Sequence, residues 1–336
     1  MKLISSVCRF HYLIIISVYY LLLLSCNQNK TVDINNEMAK LKIVGDSIKN
    51  DFSLIFDKTE KIALYTEGLY KKGIIYNKEK IEKSEYGTLH KKEDDGGSAI
   101  FTSSVEKVND EIIKIVNITS PLDSLFKNVT DSLKLVKQIC FFEQHSFVRL
   151  YPYLDVYSQF IPDLDMRSIG FYSKWDKRYN TSNRKATLSN IYHNPMGKGL
   201  MITCMSPVFY DKVFQGLIGL NITIDAIKEK YLKHNTSLMI VDSSGTCIAI
   251  DDAKSGIFNI PLLKTQKNIH TVSDNDYIVE NLNLLKSKKK EIRKAFNMLI
   301  KENAKTVKLK VNDDEYILMC YKIQGLNWFI IKFEKK

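Results

Sequence analysis

The sequence lacks the closely spaced cysteines and histidines that mark metal and redox sites. It contains six cysteines and six histidines, scattered along the chain, and no CxxC pair. Structural zinc sites need such pairs at short spacing. We therefore expect neither a metal nor a cofactor.

Signatures of hydrolytic enzymes are also missing. The sequence has no GxSxG and no HExxH, the motifs that place a nucleophile or a zinc-bound water beside its activating base. Gly197 and Gly199 form a Gly-x-Gly without the third glycine of a dinucleotide loop, which indicates a turn. We therefore do not expect a hydrolase, and we expect no enzyme activity.

The composition is that of a globular protein. The 336 residues are 45% hydrophobic and 26% charged, with a formal net charge of +11. Most lysines are interspersed with acids, and the densest run, Lys288-Lys289-Lys290, is followed by Glu291. This pattern indicates a solvated surface.

Acidic residues are absent from the first 32 positions, where the composition differs from that of the rest of the chain. Lys2 and Arg9 precede an apolar run from Tyr12 to Leu24, which is shorter than the ~20 residues that span a bilayer. A short apolar run behind a basic start is typical of an export signal.

The apolar run ends in Leu23-Leu24-Ser25-Cys26, which resembles the lipobox of bacterial lipoproteins. The resemblance implies a signal peptide over residues 1–25, acyl chains on Cys26 and a polar tether over residues 26–36. The alternative is an uncleaved anchor with an incidental cysteine. Both place the rest of the chain outside the cytoplasm (in the periplasm or at the cell surface) on a membrane, which makes nucleic acid a poor partner.

Beyond Cys26, every cysteine lies inside an apolar run. Such positions favour buried thiols. A disulfide is the alternative, because an exported protein meets an oxidising compartment. The four residues are Cys140, Cys204, Cys247 and Cys320.

A long amphipathic helix is predicted over residues 37–80, because apolar residues from Leu41 to Leu69 recur at spacings of three and four. Gly73 is its expected stop. Shorter helices are predicted over 103–116 and 121–134, the second capped by Ser120 before Pro121.

From residue 136 onward, β-branched and aromatic runs predict paired strands, with an irregular segment at 154–200 and helices near 225–233 and 276–303. The pattern predicts an α+β fold with two tandem, mainly antiparallel modules, over residues 81–230 and 231–336. The predicted strands are Val136–Glu143, Phe147–Tyr153, Met201–Tyr210, Val213–Thr223, Ser237–Val241, Thr246–Ile250, 305–311, 315–323 and Asn327–Glu334.

The order of several motifs resembles the double Cache (PDC-type) extracytoplasmic sensor domains. The resemblance covers roughly residues 37 to 334 and implies a PAS-like pair of modules on a long helix, with a small-molecule pocket in the membrane-distal one. Its motifs are Phe147-Val148-Arg149-Leu150-Tyr151, Asp165-Met166-Arg167, Phe171-Tyr172, Tyr192-His193-Asn194, Ser206-Pro207-Val208, Gly216-Leu217-Ile218-Gly219-Leu220-Asn221 and Gly325-Leu326-Asn327-Trp328.

Amino-acid-binding relatives use an arginine for the ligand carboxylate and two aspartates for the ammonium group, a sensible match of charges. Here the arginine position holds Ile169, with Arg167 nearby, and the two acids are replaced by Asn194 and Asn221. Asparagine donates and accepts hydrogen bonds without a charge. The resemblance therefore implies a neutral polar ligand rather than a standard free amino acid.

Six residues are the candidate ligand contacts, and each has a structural alternative. Arg167 is equally suited to a salt bridge, Trp175 and Tyr172 to core packing, and Asn194 to a turn. Asn221 lies in an apolar strand, where a buried amide needs a partner. The set is Arg167, Tyr172, Trp175, Tyr192, Asn194 and Asn221.

These observations favour a lipid-anchored sensor or capture protein that encloses a small molecule and signals through a separate membrane-embedded partner. A structural lipoprotein with a degenerate pocket is the alternative, because three charged ligand contacts of the relatives are missing.

Overall fold

The computed structural model describes residues 33–168, 172, 184–194, 199–261 and 280–336. The chain divides into two compact units, Met1–Ala39 and Lys40–Lys336, and both sheets lie in the second. The helices are α1 (Ile34–Lys72), α2 (Asp110–Ile118), α3 (Leu122–Ser132), α4 (Val156–Gln159), α5 (Ile224–Ile227) and α6 (Lys290–Ile300). The strands are β1 (Glu82–Lys83), β2 (Leu89–His90), β3 (Ala99–Thr102), β4 (Val136–Glu143), β5 (Phe147–Tyr151), β6 (Thr187–Leu188), β7 (Tyr192–His193), β8 (Leu200–Tyr210), β9 (Val213–Thr223), β10 (Leu238–Asp242), β11 (Cys247–Ile250), β12 (Thr306–Val311), β13 (Asp314–Ile323) and β14 (Trp328–Lys335).

Two antiparallel sheets follow each other along the chain. The first has the order β1-β2-β3-β5-β4-β9-β8-β6, with β7 beside β8, and the second the order β11-β10-β14-β13-β12. The expected module ranges, 81–230 and 231–336, each contain one sheet. The α+β fold with a long N-terminal helix and two sheets is therefore confirmed.

Helix α1 packs against both sheets. Phe52 makes an edge-to-face contact with Trp328 of the second sheet, with ring centroids 4.8 Å apart. Further along, the Thr59 hydroxyl lies 3.3 Å from the Cys204 sulfur of the first sheet. The helix ends at Lys72, because Gly73 has a positive φ of 60° and its amide donates to the Leu69 carbonyl. Gly73 is therefore the stop expected from the sequence, and residues 74–80 of the predicted range 37–80 lie beyond the helix.

Two of the predicted short helices differ from the structure at their starts. Helix α2 begins at Asp110 rather than 103, because the Asn109 side chain accepts from the Ile112 amide and caps it. Ser120 does not cap α3: Pro121 occupies the cap position without a side-chain bond, and the Leu122 amide donates to the Thr119 carbonyl. Backbone hydrogen bonds of the turns that follow α2 therefore satisfy the first amides of α3 in place of a side-chain cap.

The helix predicted over 276–303 is confirmed over Lys290–Ile300 and is too long within the rest of its described part. Leu284–Lys286 is a 3₁₀ turn that Asn283 caps, and α6 begins only at Lys290. Strand β5 also ends at Tyr151, two residues early, because Pro152 has no N–H to continue the ladder.

The four cysteines beyond Cys26 are free and buried. Cys26 and the signal segment lie outside the described residues. Within those residues, no helix has the length and apolar character needed to cross a membrane.

The turn between β4 and β5 contains a buried carboxylate. Glu143 accepts from His145 Nδ1 at 2.8 Å and from the His145 amide at 2.7 Å. Burial raises the pKa of Glu143, and the hydrogen bond to Glu143 raises the pKa of His145. Ser146, with φ at 58°, donates its amide to the Glu143 carbonyl and closes the turn.

A buried arginine joins the first sheet to the helices on its α1 side. Arg149 has 0% exposure; its Nη1 lies 2.9 Å from Glu79 and 2.6 Å from Asp123, and its Nη2 donates to the Val116 carbonyl at 2.8 Å. Lys91 binds the other oxygen of Glu79 at 3.4 Å. The cluster ties residue 79 and both helices, α2 and α3, to β5.

Replacing Arg149 by Met is expected to lower the free energy of unfolding by about 3–5 kcal/mol, because it leaves the Glu79 and Asp123 carboxylates without their buried cation. Urea unfolding measures the loss. The exposed Lys114, replaced by Met, is the control and should change stability by less than about 0.5 kcal/mol. Equal losses in the two variants would contradict the role given to the cluster.

The His145–Glu143 pair is expected to make stability fall as pH rises. Both pKa values are raised on folding, so the contribution of His145 is complete below its unfolded value near 6.5 and is lost as pH rises through the folded value. Melting temperatures of wild type and His145→Gln should therefore converge toward high pH. The exposed His234, replaced by Gln, should leave the profile unchanged, and a wild-type advantage that grows with pH would refute the assignment.

Candidate functional site

A row of neutral polar side chains crosses the first sheet on the face turned away from α1. Register pairs Asn221 of β9 with Gln138 of β4 on one side and with Thr203 of β8 on the other. Directly paired residues of antiparallel strands share a face. All three side chains are at most 1% exposed, although polar residues are normally depleted inside central strands.

Hydrogen bonds run continuously along this row. Asn221 donates its Nδ2 to Gln138 Oε1 at 2.9 Å, and its Oδ1 accepts from the Thr203 hydroxyl at 2.8 Å. Because Thr203 has only one hydroxyl hydrogen, the Tyr192 hydroxyl, 2.7 Å away, donates to it. We call Gln138, Asn221, Thr203 and Tyr192 the polar row.

The polar row is uncharged. Burial raises the pKa of Tyr192 and that of the neighbouring Cys140 thiol well above their usual ranges, so both stay protonated at neutral pH. Cys140 Sγ lies 3.6 Å from Asn221 Nδ2. The described residues contain no cluster of side chains able to hold a metal ion.

An apolar cluster surrounds the polar row on the same face. Tyr172 belongs to it, is 1% exposed and meets Phe214 edge-to-face at 5.8 Å, while Tyr192 packs against it. The cluster consists of Ala99, Phe101, Cys140, Phe142, Val148, Leu150, Val156, Met166, Tyr172, Met205 and Leu217. The structure therefore brings three predicted contacts, Tyr172, Tyr192 and Asn221, to one face.

Two other candidates have protein partners. The Arg167 guanidinium donates to Asp165 at 2.8 Å and to Glu106 at 2.7 Å, and these bonds raise its pKa. Asn194 is buried and places its Nδ2 2.9 Å from the sulfur of Met201. Trp175 and Ile169 lie outside the described residues.

Gln138 and Thr203 were not among the residues predicted from the sequence. Their signal is the one that marked Asn221: a polar side chain inside an apolar strand. The sequence around each residue does not show that the three strands are neighbours, because Gln138 and Asn221 are 83 positions apart.

The segment that carries β6 and β7 contacts both the polar row and α1. The Ala186 amide donates to Glu60 Oε1 of α1 at 2.8 Å, and Arg184 pairs with Glu67. At its other end, the Ser189 hydroxyl accepts from the Thr203 amide at 3.0 Å. A groove of about 270 Å³ lies between this segment and α1.

No protein-family profile and no curated protein matches the chain. Among solved structures, the chain is similar to the sensory domain of the Campylobacter jejuni chemoreceptor Tlp3 with isoleucine bound, at 12% identity over 90% of this chain and 92% of that one, with a TM-score of 0.52. It is also similar to the ligand-binding domain of the Pseudomonas fluorescens chemoreceptor CtaA in complex with L-alanine, at 12% identity over 90% and 97%, with a TM-score of 0.54. At this identity the likeness establishes the fold, which is the double Cache fold.

Replacing Asn221 by Leu, which has a similar shape, is expected to destabilise the chain. Gln138 and Thr203 each lose a buried partner, at about 1–3 kcal/mol for a group left unsatisfied. Urea unfolding should show this loss, whereas Asn128→Leu on the exposed surface of α3 should change stability by less than about 0.5 kcal/mol. An unchanged Asn221→Leu midpoint would mean that the row is not held by these bonds.

Proposed function

We propose that the chain is a lipid-anchored, extracytoplasmic binding protein that takes a small neutral polar molecule at the polar row. The observation that carries the proposal is the row itself. Four hydrogen-bonding side chains lie beside an apolar cluster on one buried face of the first sheet, and ligand sites typically combine a few polar groups with an apolar lining.

The proposed contacts are Arg167, Tyr172, Trp175, Tyr192, Asn194 and Asn221. We add Gln138 and Thr203 to the proposal because both bond the Asn221 side chain. A neutral ligand suits this set, because the row has no charge and Arg167 already binds two carboxylates. Amide and hydroxyl groups exchange hydrogen bonds with a sugar-like or nucleobase-like molecule.

Free amino acids are the competing ligand class. The similar Tlp3 and CtaA domains were solved with isoleucine and with L-alanine, so these neighbours give no support to excluding amino acids. The discriminating feature is charge: an ammonium group needs an acid in the pocket, and Asn221 supplies only an amide.

The proposed anchor is acylated Cys26, and the proposed output is a separate membrane protein. The contacts of the 184–189 segment support a route for the signal, because this segment bonds both Thr203 of the row and Glu60 of α1. A ligand that moves this segment toward the polar row would change the lengths of the hydrogen bonds to Thr203 and Glu60. It shifts a conformational equilibrium only by its difference in affinity for the two states.

A scaffold with a closed pocket is the second candidate function. One observation favours it: the described side chains of the row bond each other. Under this reading the row is a structural network, and no small molecule raises the melting temperature, whereas a stable protein partner co-purifies.

Thermal unfolding of the full chain with a metabolite panel is expected to distinguish these readings. A neutral ligand at 100 times its Kd stabilises by about 2.7 kcal/mol, and we expect a rise in Tm with a saccharide or nucleobase but not with L-alanine or L-isoleucine. Asn221→Asp should abolish the rise with the neutral ligand, and the exposed Asn128→Asp should preserve it. Stabilisation of wild type by free amino acids, strengthened in Asn221→Asp, would establish the ammonium class, and no stabilisation by any compound would favour the scaffold.

A further inference from the structure

The charge of the chain is distributed unevenly over the structure. Residues 33–168 contain 19 Lys and Arg against 22 Asp and Glu, whereas residues 280–336 contain 14 against 7. The second group builds α6 and three of the five strands of the second sheet. Strong charge asymmetry between parts of a chain points to an oppositely charged partner.

The excess lysines gather where α6 begins beside the edge strand β12. Lys289 donates to Asn312 at 3.0 Å, and a groove of about 410 Å³ there is lined by Lys289, Glu291, Lys310, Val311 and Asn312. We call Lys288, Lys289, Lys290, Lys308 and Lys310 the basic edge.

Four of these lysines are free of carboxylates. Lys288, Lys290, Lys308 and Lys310 are exposed, and no carboxylate of the described residues pairs with them. The nearby acids Asp314 and Glu315 pair instead with Lys335 and Lys336 at the end of β14. The positive charge of the basic edge therefore remains available to a partner.

The fold alone does not explain this placement. Outward lysines on β12 protect a free sheet edge from pairing with other chains, which accounts for Lys308 and Lys310. At the start of α6, however, cations oppose the helix dipole, and Lys289 holds the cap position without a side-chain bond. Glu291 in the first turn is a single acid against three lysines, so an external anion at that point would stabilise the helix start further.

The chemistry of the patch suits a diffuse anionic surface better than a nucleic acid. The lysines are compact point charges without the bidentate fork of arginine. The only aromatic residue between Leu284 and Glu315 is Phe296, which is buried, so no ring is offered for base stacking.

The position of the second sheet favours a membrane as that surface. This sheet contacts α1 near Gly45 and Phe52, whereas the first sheet contacts it from Thr59 onward. If Cys26 is acylated, as the proposed function requires, the second sheet packs on the part of α1 that follows the lipid. We propose that the basic edge binds the headgroups of anionic phospholipids, at about 1 kcal/mol for each lysine at the surface.

Co-sedimentation of the full chain carrying Cys26→Ala with vesicles tests this proposal apart from acylation and small-molecule binding. Vesicles of phosphatidylcholine alone are compared with vesicles that also contain phosphatidylglycerol. We expect a preference for the anionic vesicles that falls about five-fold for each of Lys288, Lys290, Lys308 and Lys310 replaced by Gln, and that high salt removes.

The matched control replaces four exposed lysines of the first module, Lys107, Lys114, Lys127 and Lys134, by Gln, with unchanged circular dichroism required of both variants. Equal partitioning of the parent chain into the two kinds of vesicle would overturn the proposal, and so would equal losses in the basic-edge and control variants. Tighter binding to double-stranded DNA than to anionic vesicles at equal phosphate would reassign the surface to nucleic acid.

Discussion

A guanidinium with no access to water determines how the first sheet is covered. Arg149 is fully buried, and an uncompensated charge there would cost several kcal/mol, which is a large part of a typical domain's stability. Its compensation needs Glu79, the start of α3 at Asp123 and the Val116 carbonyl of α2 at once. These elements are therefore held together over β5 on the α1 side of the sheet, and the polar row lies on the opposite face.

Buried polar groups are stabilised differently on the two faces of this sheet. On the α1 side, full charges compensate each other through ion pairs. On the other side, amides and hydroxyls share hydrogen bonds without any charge. A neutral network can exchange one of its bonds for a bond to a ligand at little electrostatic cost, whereas opening the Arg149 cluster would expose unpaired ions to a low dielectric. The neutral face is therefore the one suited to binding.

Local patterns predicted most of the fold. Strand β4 and the β8–β9 hairpin with its Asp211-Lys212 turn follow from alternation and turn residues, and Gly73 ends α1 as expected. Two errors in element bounds come from single neighbouring residues: Asn109 caps α2 and sets its start, and Pro152 ends β5. For the site, Asn221 was predictable from its polarity, whereas its pairing with Gln138 and Thr203 depends on strand order, which no window of sequence contains.

Gly45 of α1 has a mechanical consequence. A Cβ at this position would lie 2.8 Å from the Tyr321 ring of the second sheet, so helix and sheet touch there without slack. Fourteen residues on, Thr59 meets the first sheet, about 21 Å away along the axis. If the helix moves as a rigid body, tilting it by about 5° around Thr59 would displace Gly45 by about 2 Å. A small movement of α1 at the first sheet would therefore change its contact with Tyr321 in the second sheet.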